Sequence, residues 1–222
     1  MKLINFHTHK PELSPNAVCV YPINVELDTI FPKEGFITTG VHPWHTNSEN
    51  INQRIEPFKK ALKQTNVIGI GEIGLDRLKG ASLIKQTEIL EYQLDISLEI
   101  NKPVILHCVR SWSELVTAMS KKKYKNIVKA IHGFRAKPEI ATMLVSQDYY
   151  LSFGSAIINA TPELAEALTL VPRNRLFLET DDSDIPIYEV YDAASDILDT
   201  TIEELVQLSH SNFYNFFGIA PE

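Results

Sequence analysis

Eight short apolar runs recur along the chain, at 3–6, 17–21, 36–41, 67–72, 102–107, 126–132, 149–153 and 176–181, and each has the length and β-branched or aromatic content of a strand. From the third run onward they alternate with segments of helical spacing, at 51–63, 81–100, 112–119, 138–145 and 162–170. Strand and helix in alternation predict a parallel α/β architecture, and eight strands suggest that the sheet closes. The first strands depart from the rule. Pro11 to Asn16 is too short and too proline-rich for a helix, and Phe31 to Gly35 breaks the chain again. The expected fold class is therefore α/β, a TIM-type (β/α)8 barrel, shortened, with helices reduced or absent between the first three strands. A last helix at 201–217 carries Thr201 and Glu204 in capping-box spacing and Gly218 as its stop.

Where the strands end discriminates a barrel from an open doubly wound sheet, because a barrel collects its chemistry at the C-terminal ends of many strands. Here the runs end in His7 and His9, His42, Glu72, His107, His132 and Asp181. His7 and His9 are two apart in an extended segment, so both imidazoles face one side and can share an ion. Four histidines, one glutamate and one aspartate make a donor set for one or two divalent ions (Zn, Mn, Mg, Ni or Fe). With no thiolate among them, a structural zinc cluster is disfavoured. Six ligands exceed what one catalytic zinc needs and suffice for two ions if one carboxylate bridges.

The rest of the composition sets limits. With 222 residues, 44% hydrophobic and 22% charged, and no linker, charge block or fixed-period repeat, the chain reads as one domain, 1–222. Its 21 basic and 28 acidic residues give a formal charge of −7, so bulk electrostatics attracts neither nucleic acid nor an anionic membrane. A phosphate would have to be gripped locally. The one dense basic run, Lys121 to Lys125, follows an amphipathic segment and reads as a solvated helix end. The apolar runs are too short to span a membrane, and the N-terminus lacks a secretory layout. A cytoplasmic protein with Cys19 and Cys108 as free thiols is expected, with no stable protein partner inferable. Cys108, beside His107, reads as a small buried strand residue rather than a nucleophile.

Several segments taken together resemble the TatD-type metal-dependent hydrolases, amidohydrolase-like TIM barrels that include deoxyribonucleases. They are Phe6-His7-Thr8-His9, Gly40-Val41-His42-Pro43, Gly71-Glu72-Ile73-Gly74-Leu75-Asp76, Pro103 to Arg110, His132-Gly133-Phe134 and Leu178-Glu179-Thr180-Asp181. The resemblance implies that His7, His9 and Asp181 hold one metal, that His107 and His132 hold the other, and that Glu72 bridges. It implies catalytic roles for Asp181 and Glu72, with a metal-activated water attacking phosphorus or a carbonyl and Asp181 accepting its proton. Arg110, His42, His45 and Arg135 are the expected substrate contacts, and Asp76 is expected beside the ligands or at a helix start. Pro43 and Trp44 are loop packing or substrate contacts in equal measure.

The implied activity is a phosphodiesterase or deoxyribonuclease acting on nucleic-acid ends, with hydrolysis of a small-molecule amide, ester or lactone as the alternative. Two departures concern the substrate side. Lys10-Pro11 stands where the family often has Leu-Asp after His-x-His, and Asp182 to Tyr188 replaces the family's Arg-x-Asn-x-Pro type loop.

Overall fold

The computed structural model describes residues 1–23, 35–47 and 52–221. Eight strands follow one another in chain order in one sheet, the order of a TIM-type (β/α)8 barrel: β1 (Leu3–Asn5), β2 (Ala17–Ile23), β3 (Phe36–Thr39), β4 (Val67–Asp76), β5 (Val104–Val109), β6 (Lys129–Ile131), β7 (Tyr149–Phe153) and β8 (Leu176–Leu178). The helices are α1 (Asn52–Ala61), α2 (Leu83–Ile100), α3 (Trp112–Met119), α4 (Pro138–Val145), α5 (Pro162–Leu170), α6 (Ile187–Leu198) and α7 (Ile202–Phe217). Between β1 and β2 there is only a 3-10 turn at Pro11–Leu13, as expected. The break at Phe31 to Glu34 and the helix start at Ile51 lie outside the described residues. Two compact units emerge, residues 1–21 with 130–222, and residues 22–129.

In the first unit, β1 pairs in parallel with β2 and β7 with β8. The backbone beyond β1 is laced on both sides. Thr8 N–H donates to Val20 O at 3.0 Å, while Phe6 N–H donates to Leu178 O and Asp181 N–H to His7 O, both at 3.0 Å. Fully buried Asn5 locks this seam with its side chain. Its Nδ2 donates to Thr180 Oγ1 at 2.9 Å and its Oδ1 accepts from Thr180 N–H at 3.0 Å. Thr180 Oγ1 in turn lies 2.9 Å from Thr8 Oγ1. Phe6 stacks on Phe177 with ring centroids 3.9 Å apart, and Phe216 from α7 meets Phe6 edge-on.

The helix α6 has no counterpart among the expected elements. Its buried Ile187, Val190, Tyr191, Ala194 and Leu198 recur at helical spacing. Asp and Ser between them, and the resemblance to a loop-bearing family, masked that period. The Tyr191 hydroxyl sits between Ile4 O at 3.1 Å and Ser209 Oγ at 2.9 Å, so α6 and α7 both hold the β1 backbone. Burial pushes that phenol up to about 12. The expected capping box is present, with Thr201 accepting from Glu204 N–H and Glu204 from Thr201 N–H.

In the second unit, β3, β4 and β5 run in parallel. β4 continues to Asp76, four residues beyond its expected end at Glu72, with a register shift between Ile70 and Ile73. Glycine makes the continuation possible. At Gly74, paired with His107, φ is +146° and a Cβ would lie 2.0 Å from the His107 carbonyl oxygen. The inward face of α2 is not purely apolar. Ile84 is 76% exposed and Leu98 40%, whereas Gln86 and Gln93 are buried. Both glutamines cap strand ends: Gln93 Oε1 accepts from Val41 N–H at 2.6 Å and Gln86 Oε1 from Asp76 N–H at 2.7 Å. Apolar periodicity alone does not locate that face, because part of its work is hydrogen bonding. Of the lysine run, Lys121 pairs with Glu91 at 2.5 Å and Lys123 with Asp95 at 2.6 Å, a solvated surface as expected.

Replacing Gly74 by alanine should lower unfolding stability by at least ~2 kcal/mol in a urea titration, because the new Cβ meets backbone that has nowhere to move. An unchanged midpoint would show that β4 and β5 can part at no cost.

Candidate metal centre

The first unit presents His7, His132 and Asp181 from the ends of β1, β6 and β8. One ligand atom of each lies within 4.8 Å of the others. Nitrogen and oxygen donors that share an ion at ~2.1 Å sit roughly 3 to 4 Å apart, so small side-chain adjustments bring this group to coordination distance. His7 is fully buried, and its Nε2 lies 3.9 Å from Asp181 Oδ1. His9, with its side chain 44% exposed, brings Nε2 to 3.6 Å from the same oxygen. The His7 and His132 rings are 4.4 Å apart.

Asp181 adopts φ +54°, a left-handed conformation that aspartate tolerates better than bulkier residues. Two backbone bonds hold it there: Asp181 N–H donates to His7 O, and His9 N–H donates to Asp181 O at 2.9 Å. The same hydrogen bonds that join the strands therefore aim the carboxylate.

Glu179 orients this group. It is fully buried, its Oε1 accepts from Gly133 N–H at 2.6 Å, and the same oxygen lies 3.6 Å from His132 Nδ1. A carboxylate charge on that side of the ring favours a proton at Nδ1, which would leave Nε2 for a metal. The sequence reading assigned Glu179 no role. The signal was available, because strand alternation puts Glu179 on the same side as Asp181 two residues later.

The second unit presents His42, Glu72 and His107, again with one ligand atom each within 4.8 Å of the others. Glu72 Oε2 lies 3.4 Å from His42 Nε2 and 3.7 Å from His107 Nδ1. The two imidazoles differ in tautomer. His42 Nδ1 accepts from Trp44 N–H at 3.2 Å, so a neutral His42 carries its proton on Nε2 and offers it to Glu72. His107 Nε2 lies 3.4 Å from Asp76 Oδ2, which places its proton there and turns the Nδ1 lone pair toward Glu72. His107 thus turns a lone pair, and His42 an N–H, toward Glu72.

Asp76 has the expected supporting place. Burial works to raise its carboxyl, but hydrogen bonds from Trp44, Leu78 and His107 outweigh burial and hold it below the ordinary carboxylate value. His45 is held below its ordinary value by burial, against the pull of the Glu72 charge, and is neutral at pH 7. Arg110, at φ +50°, and Arg135 are exposed, and among the described residues neither guanidinium has a partner. Where the resemblance groups His132 with His107, the described geometry gathers His132 with His7 and Asp181. Burial lifts the Cys108 thiol to about 12, which disfavours the thiolate a nucleophile needs.

The donors fit divalent ions that accept imidazole and carboxylate together, as zinc and manganese do, and each group has a carboxylate orienting one of its imidazoles. Glu179→Ala should weaken divalent-metal affinity 10- to 100-fold in a calorimetric titration, with far-ultraviolet circular dichroism unchanged. Unchanged affinity would remove Glu179 from the centre. The Cys108 thiol should react with a disulfide reagent at pH 8 far more slowly than free cysteine, since only about one part in 10⁴ is then thiolate.

Comparison with known proteins gives this geometry its family. The model of the family described as TatD related DNase matches residues 22–218. The metal-dependent hydrolase YcfH of Escherichia coli is 26% identical over 195 residues, covering 81% of this chain and 72% of its own length. The 3'-5' ssDNA/RNA exonuclease TatD of Pantoea ananatis is 30% identical over 147 residues, 65% of this chain and 56% of its own length. Among solved structures, the TatD homolog YJJV of Escherichia coli superposes with a TM-score of 0.83 at 20% identity, over 98% of both chains. A TatD family hydrolase of Entamoeba histolytica gives 0.77 at 16%, also over 98% of both.

Proposed function

Because this chain belongs to the TatD-related DNase family of metal-dependent hydrolases, we propose that its substrate bond is a phosphodiester at the end of a single-stranded nucleic acid. The observation that carries the proposal is the pairing of each His/carboxylate group with an orienting carboxylate, Glu179 behind His132 and Asp76 behind His107. Such support is what a site that must hold ions in working geometry requires. His7, His9, His132 and Asp181 are the ligands in the first unit, and Glu72 and His107 those in the second.

Bound divalent ions would supply an acidified water and charge neutralisation at the phosphoryl oxygens. The protein's own residues do the remainder. Asp181, its side chain 31% exposed, accepts the proton of the attacking water at a carboxylate oxygen. Arg110 in the second unit and Arg135 in the first each present a guanidinium group, not committed elsewhere among the described residues, that can hold a non-bridging phosphate oxygen. His42 offers its Nε2 proton toward Glu72, and His45, neutral at pH 7, adds no charge of its own.

The second reading is hydrolysis of a small-molecule amide, ester or lactone. It is supported by the acidic stretch beyond β8, where exposed Asp182 and Asp184 follow Asp181 and share the single Lys10 cation nearby among the described residues, 2.7 Å from Asp184. Such charge repels a polyanion and tolerates a neutral substrate.

The wild-type protein supplied with Mn, Mg or Zn should shorten end-labelled single-stranded DNA. EDTA should abolish the reaction, and Asp181→Asn should lower kcat by about 10²- to 10⁴-fold. DNA left intact with every ion, while a panel of esters and lactones turns over, would replace this reading with the second.

A further inference from the structure

Trp44 takes no part in the ligand groups, yet it is both exposed and immobilised. The indole is 43% exposed, and its Nε1–H donates to Asp76 Oδ2 at 2.5 Å. The 3-10 turn Pro43–His45 that carries it is clamped to the loop after β4. Thr46 Oγ1 donates to Pro43 O at 2.6 Å and accepts from Ala81 N–H at 3.0 Å. At Gly80 a Cβ would lie 2.1 Å from Pro43 O, so the two backbones approach as only glycine allows. The indole stands edge-on to His42, with ring centroids 4.9 Å apart, and to His107 at 6.0 Å.

One cation accompanies it. The Lys79 ammonium lies over the indole, 3.7 Å from the ring centroid. Arg110 follows β5 directly, where Val109 pairs with Asp76 and its carbonyl accepts from Arg77 N–H. Arg77 itself is committed, to Glu114 and to the Arg110 carbonyl. Lys79 and Arg110 have no carboxylate partner among the described residues.

A rigid, water-exposed indole beside a hydrolytic group, with an ammonium over its face that has no carboxylate partner among the described residues, is suited to a ligand with a flat π-face joined to an anion. The geometry points to Trp44 as the stacking platform for a nucleobase next to the scissile phosphodiester, with Lys79 moving from the ring face to the neighbouring phosphate. Because Asp76 and the clamped turn fix the indole plane beforehand, little ordering entropy opposes binding. The inference rests on the nuclease reading for the identity of the anion. It goes beyond that reading in assigning a base-recognising residue.

Binding and cleavage are to be measured separately on the full chain with manganese. Binding uses labelled phosphorothioate pentathymidylate, slow to hydrolyse, and the same strand with an abasic terminal residue. Cleavage uses the corresponding phosphodiester strands. Wild type should bind the complete strand about tenfold more tightly than the abasic one. Trp44→Ala should erase that ratio, and Trp44→Phe, which keeps a ring and tests for mere misfolding, should retain part of it. Lys79→Ala should weaken both strands alike and flatten the salt dependence. Equal binding of the two strands by wild type, or a ratio unchanged in Trp44→Ala, overturns the stacking assignment even where DNA is cut. A base-dependent ratio lost in Trp44→Ala with no cleavage upholds stacking and removes the nuclease reading instead.

Discussion

Asn5 is the residue on which the arrangement of the first unit turns. Its side-chain amide does for the strand ends what a backbone ladder does within a sheet: it donates to Thr180 Oγ1 and accepts from Thr180 N–H. Both residues are buried, so breaking either bond would strand a polar group away from water at about 1–3 kcal/mol. The amide ties residue 5 to residue 180, so two segments far apart in the chain meet in a single register. One residue of slippage would turn His7 away from Asp181, because side chains alternate along an extended segment. The ligand geometry is therefore a by-product of a hydrogen-bonding requirement that has nothing to do with metal.

The two units solve the same problem by the same means. An imidazole offers two nitrogens, and without a partner on one of them its tautomer is undetermined. In the first unit the partner is Glu179, in the second Asp76. The two carboxylates are supported differently. Asp76 is stabilised as an anion by two backbone N–H groups and the Trp44 indole. Glu179 is fully buried, and its second oxygen, Oε2, has no hydrogen-bond partner among the described residues. An ionised carboxylate in that position needs cationic charge nearby, and a bound ion on His132 would provide it. The burial of Glu179 thus makes sense in a protein built to hold metal.

Much of this was legible in the residues, and the part that was not shares one cause. His7, His9, His107, His132, Glu72 and Asp181 could be found because each ends an apolar run and is chemically unusual there. The eight strands could be counted because their β-branched runs are bounded by turn residues. What escaped was polar side chains with structural work inside the protein. Gln86 and Gln93 look like the solvent face of α2 until their strand-capping bonds are seen. Glu179 looks like a neighbour of Asp181 until His132 is placed beside it. Helix α6 hid for a related reason, since its period includes Tyr191, whose hydroxyl bonds the β1 backbone and whose ring fills the core. Hydrophobic periodicity registers area removed from water, and these residues act through direction.

Direction also separates the groups fixed by buried structure from those held at the surface. The ligand groups are held by buried strand ends and by Asn5, Glu179 and Asp76, none of which can change without cost to stability. The residues around them are held by exposed turns. Lys10 reaches Asp184 across the short 3-10 passage that replaces a helix between β1 and β2, an exposed pair that solvent and salt screen. Arg110 and Arg135 are exposed at the ends of their segments, and their guanidinium groups have no partner among the described residues. Trp44 is the exception among the exposed groups, because its indole is tied to the same carboxylate that orients His107. A change of substrate that required moving Trp44 would disturb His107 with it, whereas the arginines and the Asp182 to Asp184 stretch could vary without touching the ligands. Of exposed Trp44, Arg110 and Arg135, Trp44 is therefore the one whose position is tied to that of His107 through Asp76.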